Sequence, residues 1–161
     1  MTTDRDQGAA VQDHYPDDFA HCYGCGRLNP HGLHLKSRWQ GDEVVARFLP
    51  RPEYVAVPGF VYGGLLASLV DCHAMATASA DAERRAGRTI GEAPAPRYVT
   101  AMLRVDYLAP TPVGTPLELR ARVLEASERK TRVDVTLAAA GAATVRAEVV
   151  AVPMPASMRM V

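Results

Sequence analysis

The chain has 161 residues, a length that fits one domain with a sizeable core and is short for two. Hydrophobic residues make up 48% and charged residues 22%, and the net charge is zero, so no overall field favours nucleic acid or a membrane surface as a partner. The three cysteines do not suggest a disulfide framework, and the polar N-terminus has no apolar segment typical of a secretion signal. These features predict a single-domain cytoplasmic protein.

The first part of the chain carries few signals of regular structure. Residues 1–18 are polar and without periodicity, which predicts a flexible arm, followed by one domain over residues 19–161. Glycines and an Asn-Pro pair mark residues 21–32 as a loop. Apolar and polar residues then alternate over 33–39 and 43–49, separated by a Gly-Asp turn, which predicts a β-hairpin.

The rest of the chain predicts one helix followed by strands. Alanine, leucine and methionine dominate residues 63–86, and nothing breaks a helix before Gly87, its predicted stop. Alternation predicts antiparallel strands over four later segments: 98–108, 116–125, 130–139 and 144–152. The predicted fold class is therefore α+β, with the long helix lying across an antiparallel sheet that wraps it. One small sheet covers only half of so apolar a helix, which favours a dimer.

The most informative residue is Asp71, because it is the only fixed charge between Pro58 and Asp81 in an otherwise apolar segment. Burying a carboxylate without a partner is costly or raises its pKa. The pair Gly63-Gly64 stands where the helix begins, so its backbone N–H groups could hold a carbonyl oxygen while the acid acts on the carbon. The alternative is a structural acid that caps a loop or pairs with an arginine of a partner subunit.

Three stretches of the sequence carry a family resemblance. They are the loop Cys22-Tyr23-Gly24-Cys25-Gly26 with Asn29-Pro30, the helix start Gly63-Gly64 with Asp71 beyond it, and the strand end Asp106-Tyr107-Leu108-Ala109-Pro110. Together they resemble the PaaI-like (phenylacetic acid degradation) acyl-CoA thioesterases, over roughly residues 21–152. The resemblance implies a hotdog fold and the hydrolysis of an acyl-CoA thioester to free acid and CoA.

The resemblance also implies roles for particular residues. The backbone N–H groups of Gly63 and Gly64 would bind the thioester carbonyl oxygen and stabilise the oxyanion. Asp71, contributed from across a dimer interface, would attack the carbonyl as a nucleophile or activate water as a general base, and both routes stay open. Thr100 aligns with a hydroxyl that orients water in some members. No metal or organic cofactor is implied, and the expected assembly is a homodimer or homotetramer.

The sequence departs from the family at two positions. Tyr62 replaces the usual histidine before the glycine pair, and Ala56 replaces an asparagine that some members carry. These departures keep open a non-catalytic acyl-CoA-binding hotdog protein. A hotdog hydratase or dehydratase is the third reading, but it needs a histidine beside the acid. The only helix histidine, His73, is at the wrong angle on the helix to share a site with Asp71.

Several residues are candidates for substrate binding. Ser68 lies one turn before Asp71 and is placed to hydrogen-bond with it, and His73 either lines the pocket or lies at the dimer seam. The residues expected to shape the acyl pocket include Phe60, Tyr62 and Met75. The basic cluster near the helix end comprises Arg84, Arg85 and Arg88. These arginines suit the phosphates of CoA, although an ordinary solvated surface is an equally good reading.

The cysteines raise the question of a metal. Cys22 and Cys25, with His31 and His34 further on, have a spacing that would suit zinc. The family resemblance accounts for this loop without a metal, so we expect its thiols to pack against the helix. Cys72 is followed directly by His73, and helix neighbours cannot face one another as nucleophile and base. A buried Cys72 is therefore expected to be inert packing.

Overall fold

The computed structural model describes residues 8–159. Six strands form one antiparallel sheet: β1 Ser37–Gln40, β2 Glu43–Phe48, β5 Tyr98–Tyr107, β6 Leu117–Ala126, β7 Thr131–Ala139 and β8 Ala142–Pro153. Two short strands, β3 Val55–Val57 and β4 Phe60–Val61, form a separate pair ahead of the helix. The helix α1 spans Gly63–Arg85. Short 3-10 turns lie at Val11–His14, Asp17–Phe19 and Ala156–Met158.

The sheet has the order β1-β2-β6-β7-β8-β5, and α1 packs across it in contact with all six strands. In β7 buried and more exposed residues alternate along the strand, because successive side chains point to opposite faces. The buried face supplies a large part of the core, including Leu117, Leu119, Val133, Val135 and Leu137. The predicted fold class, a long helix wrapped by an antiparallel sheet, is confirmed.

The observed helix agrees with the prediction to within a residue at its end. Gly87 follows it at φ +73°, a left-handed conformation that glycine adopts without strain. Strand β1 is shorter than predicted, because Leu33 and Leu35 donate backbone hydrogen bonds to the carbonyls of Tyr23 and Gly24 in the preceding loop (2.8 and 3.1 Å). No helix among residues 8–159 is long and apolar enough to cross a membrane.

The segment that follows residue 7 packs onto the domain, which corrects the predicted flexible arm over residues 1–18. Val11 and Tyr15 are buried in the core. The Gln12 side chain accepts a hydrogen bond from the Ser37 backbone N–H (2.8 Å) and donates one to the Ser37 hydroxyl (2.9 Å). A few anchoring side chains hold this segment, and they leave no periodic pattern in the sequence. Residues 1–7 of the predicted arm lie outside the described residues.

Strand β5 is the last strand in the sheet order, so one of its edges has no strand beside it within residues 8–159. It is 10 residues long, and most of its side chains on both faces are exposed, including Met102, Leu103 and Tyr107. A long apolar edge strand is a ready template for pairing with another chain. The exposed edge of β5, the strand that carries Thr100, is therefore suited to association with another chain.

Candidate active site

Asp71 lies midway along α1, where its carboxylate accepts a hydrogen bond from the hydroxyl of Thr100 on β5. The register of β5 against β8 shifts between Thr100 and Met102, an irregularity of the kind that re-aims a side chain. Asp71 is half-buried. This burial raises the pKa of the Asp71 carboxyl above its ordinary value, and the hydrogen bond from Thr100 opposes the shift. A partly desolvated carboxylate held by one hydroxyl is suited to act as a base or a nucleophile.

The start of α1 presents free backbone donors. Tyr62 is the N-cap residue, and its carbonyl accepts the hydrogen bonds of Leu65 and Leu66 (3.1 and 3.3 Å). Gly63 and Gly64 precede these donors, so their N–H groups have no carbonyl to reach within the helix. The Tyr107 hydroxyl donates to the Gly63 carbonyl (2.7 Å), which fixes the first turn against β5. The positive end of the helix dipole thus points at an accessible position.

Tyr62 folds its ring against Gly64. A Cβ added at Gly64 would lie 2.4 Å from Cε1 of Tyr62, so only a glycine leaves room for the ring in this position. At Gly63 the added Cβ would meet the Tyr107 ring at 3.4 Å, an ordinary contact. Tyr62 itself is 57% exposed, which leaves its ring free to move aside. Gly64, rather than the pair, therefore permits the close approach of a planar group at the helix start.

A cavity of about 370 Å³ opens beside this terminus. It is lined by Tyr23, Glu53, Tyr54, Val55, Tyr62, Gly64, Leu65 and Ser68. Ser68 donates to the Gly64 carbonyl (2.9 Å), not to Asp71, which corrects the expected hydrogen bond between the two side chains. Phe60 is exposed on β4, close in sequence to the cavity but not among its lining residues. The cavity mixes aromatic walls with backbone donors, as ligand sites commonly do.

Two residues expected to bind substrate lie in the core instead. His73 is fully buried: its Nδ1 hydrogen-bonds the Ser37 hydroxyl (2.8 Å), and its Nε2 hydrogen-bonds the Val44 carbonyl (3.0 Å). Burial lowers the pKa of His73 to about 4, so the ring is neutral. Met75 is also buried, as part of the core cluster. Both face the sheet because they occur on the side of α1 that the sheet covers, so neither lines the cavity.

The basic cluster lies at the opposite end of α1 from the glycine pair. About 20 residues of helix separate them, which is about 30 Å at the rise of an α-helix. Each arginine has a neighbour that engages it: Trp39 under Arg84, Asp81 beside Arg85 and Glu83 beside Arg88. Glu83 is 2% exposed and accepts two hydrogen bonds from Arg88, so this pair stabilises the helix end. Binding of CoA phosphates by these arginines stays a prediction.

The loop thiols pack against the helix as expected, and there they form a cluster with Cys72, next to Asp71, that was not predicted. Cys22 and Cys25 in the loop meet Cys72 of α1, with the Sγ atoms of Cys22 and Cys72 3.6 Å apart. The thiols of Cys25 and Cys72 hydrogen-bond to the Cys22 sulfur, which lowers the pKa of Cys22, and the pKa of Cys25 is raised to about 12. His31 and His34 are exposed and do not belong to this cluster. Cys22 and Cys72 are 50 residues apart, and no local pattern connects them.

A long central helix wrapped by one antiparallel sheet, with free N–H groups at the helix start and a desolvated carboxylate further along, defines a hotdog-fold protein with a site suited to thioester chemistry. The chain belongs to the thioesterase superfamily, which matches residues 58–150. At the level of that family, its chemistry is thioester hydrolysis. A comparison with curated proteins gives no significant match.

Solved structures support the same assignment. A thioesterase superfamily protein from Shewanella loihica PV-4 is 45% identical, with a TM-score of 0.66 over 86% of this chain and 98% of that one. The E. coli PaaI protein of the phenylacetic acid degradation operon is 14% identical, with a TM-score of 0.62 over 76% of this chain and 81% of that one. AziG of S. sahachiroi is 22% identical, with a TM-score of 0.60 over 76% and 92%. The last two are similar in fold.

Proposed function

We propose that the protein is a cytoplasmic acyl-CoA thioesterase of the PaaI-like kind, which hydrolyses an acyl-CoA thioester to free acid and CoA. The observation that carries this proposal is the position of Asp71. It lies on the helix that begins at Gly63-Gly64 and accepts a hydrogen bond from Thr100 of β5. Each copy of this helix carries both kinds of group that acyl transfer requires. One is a set of preorganised donors for an oxyanion, and the other is a carboxylate whose pKa burial raises.

The chemistry follows from these groups. The thioester carbonyl oxygen lies against the N–H groups of Gly63 and Gly64, which stabilise the negative charge that develops in the tetrahedral intermediate, typically by about 3 kcal/mol for a donor. Asp71 either takes a proton from the attacking water or attacks the carbonyl itself to form an anhydride that water then opens. The C–S bond breaks, CoA leaves as a thiol, and the acyl group leaves as a carboxylate. No cofactor is needed.

The site requires two protomers. Seven residues of helix separate Gly64 from Asp71, which is about 10 Å at 1.5 Å per residue, too far for both to touch one carbonyl group. A second copy bound along the exposed edge of β5 brings the Asp71 of one protomer to the glycine pair of the other. We therefore include a homodimer, alone or within a homotetramer, in the proposal. Each dimer then carries two equivalent sites.

The experiment is release of CoA thiol from a panel of aromatic and aliphatic acyl-CoAs, followed with a thiol reagent. Asp71→Asn keeps the size of the side chain and removes the base, so we expect turnover to fall by about 100-fold or more while the fold is retained. Asp134→Asn, at an exposed carboxylate of β7, is the matched control and should keep wild-type turnover. Normal turnover by Asp71→Asn would refute the mechanism.

The second candidate is a non-catalytic acyl-CoA-binding protein, and the position of Tyr62 favours it. Its ring covers Gly64, where the substrate carbonyl has to bind. Under this reading acyl-CoA binds tightly in calorimetry and no thiol is released by the wild-type chain. Tyr62→His, which restores the residue that the family has before the glycine pair, then gains turnover. The hydratase reading loses support, because both ring nitrogens of His73 are engaged in the core.

A further inference from the structure

The three cysteines converge on a single point between the loop and α1. Their sulfur atoms all lie within 4.8 Å of one another, and those of Cys22 and Cys72 are 3.6 Å apart. In tetrahedral zinc sites each Zn–S bond is about 2.3 Å, which places two bound sulfurs about 3.8 Å from each other. The cluster therefore already has nearly the spacing that a zinc ion imposes on its ligands.

The loop has the architecture of a ligand loop. Cys22 and Cys25 are separated by two residues, the usual spacing of two zinc ligands in one loop. A Cβ at Gly24 would lie 2.3 Å from the Cys72 sulfur, so glycine is required where the loop meets the helix. The Gly26 N–H donates to the Cys22 carbonyl (2.8 Å) and closes the turn. The two loop thiols are thus held in place by backbone geometry.

A second observation concerns polar atoms beside the thiols. The Tyr15 hydroxyl and the Nη1 of Arg97 are buried, and neither has a hydrogen-bond partner among the described residues. Tyr15 is 2% exposed and its ring packs 4.7 Å from the Arg97 guanidinium, and Tyr15 belongs to the same buried core cluster as Cys25 and Cys72. Buried polar atoms without partners are rare in native proteins. Both atoms are therefore available to hydrogen-bond a polar species bound in the core.

We propose that Cys22, Cys25 and Cys72 bind one zinc ion as thiolates, with a water molecule as the fourth ligand. On binding, each thiol releases its proton to solvent and no electron is transferred. Three thiolates and Zn²⁺ carry one net negative charge, which the Arg97 guanidinium balances. The bound water gives the buried Tyr15 hydroxyl and Arg97 Nη1 a hydrogen-bonding partner, as groups around metal sites commonly have.

The consequence is structural. The ion ties the loop to α1 at the residue next to Asp71, and so fixes the helix position from which Asp71 acts. Because the sulfurs hold the metal whether or not the protein turns over a thioester, this inference stands apart from the proposed function. Its test uses metal content and spectra, so failure of one does not imply failure of the other.

The experiment starts with tag-free full-length protein, kept reduced with a phosphine and purified without chelators. We expect about one zinc per chain by elemental analysis, lost on dialysis against a chelator. Cobalt(II) added to the metal-free protein should give strong thiolate-to-cobalt charge-transfer absorption and the visible bands of a tetrahedral site. Reduced protein that holds no zinc and gives no such spectrum would overturn the proposal.

Variants identify the ligands. Cys22→Ser, at the least buried thiol, and Cys72→Ser should each weaken cobalt binding by more than about 100-fold and lower the charge-transfer intensity. Arg97→Gln should weaken binding by about 10- to 100-fold and leave the spectrum unchanged, because it removes no ligand. His31→Ala and His34→Ala are the controls and should keep the full signal. Loss of the signal in the histidine variants, with Cys72→Ser unaffected, would overturn the ligand set. Circular dichroism checks that each variant folds.

Discussion

The hydroxyl of Thr100 offers a direct test of whether ionisation of Asp71 controls hydrolysis. Thr100→Val keeps the β-branched shape on β5 and removes the donor to the Asp71 carboxylate. A hydrogen bond to a charged group is worth about 1.5–3 kcal/mol, and one pKa unit corresponds to about 1.4 kcal/mol. Thr100 is exposed, so the lower end applies. Because the bond favours the ionised form, we expect its loss to raise the pKa of Asp71 further, by about one unit.

The assay is kcat/KM for CoA release measured against pH in wild type and Thr100→Val. The acidic limb should move upward by about one unit, so the variant is about tenfold slower below the midpoint and recovers above it. A loss that persists at every pH would mean that the Thr100 hydroxyl orients water instead. Thr136→Val on β7 is the matched control and should show the wild-type profile. Superimposable profiles for Thr100→Val and wild type would refute the link between this hydroxyl and the ionised carboxylate.

Two further predictions concern the core and the edge strand. The pKa of His73 is about 4 in the fold against 6.5 when free, so stability that is complete above pH 6.5 should decrease as pH falls towards 4, by up to about 3 kcal/mol. In urea unfolding, the stability of His73→Gln should not show this part of the decrease as pH falls. A pH dependence of stability equal to that of wild type would contradict the prediction. Leu103→Lys, at the middle of the β5 edge, should sediment as a monomer and lose hydrolysis. Leu124→Lys on β6 should do neither, and a dimeric Leu103→Lys would argue against this interface.

The parts of the fold that the sequence predicted well have local causes. The run of alanine and leucine after Gly63 fixes the helix, and alternating residues fix the later strands, because a face must be buried in each case. Strand β1 begins at Ser37 and not at residue 33 as the alternation predicts. Leu33 and Leu35 alternate because they are buried against the preceding loop, and they do not pair with β2. Alternation in the sequence indicates which side chains are buried, but it does not indicate which strand the backbone pairs with.

The site was only partly predictable, for a physical reason. Asp71 could be found from the sequence, because an isolated charge in an apolar helix is anomalous by itself. The burial of His73 and the meeting of Cys72 with Cys22 depend on which side of α1 the sheet covers and where the loop crosses the helix. Those are properties of tertiary packing. One signal was available: a glycine inside the Cys-x-x-Cys motif, Gly24, is typical of a loop that another part of the chain approaches closely.

The proposed division of the site between two protomers can be tested by mixing two inactive variants. Gly64→Val places a side chain where the Tyr62 ring lies 2.4 Å from a Cβ and where the substrate carbonyl must bind, and Asp71→Asn removes the base. Each variant alone has a defect in every site, so each should be inactive while still forming dimers.

If one protomer supplies the glycine pair and the other supplies Asp71, a mixed dimer contains one site with both defects and one site with neither. Random assembly makes about half of the dimers mixed, so refolding the two variants together should restore about a quarter of the wild-type turnover. If each chain instead builds its own site, every site in the mixture keeps one defect and no activity returns. The separation of about 10 Å between Gly64 and Asp71 along α1 predicts the first result, since one carbonyl group cannot span that distance within a single chain. An inactive mixture whose mixed dimers are demonstrated by mass spectrometry would refute the shared site.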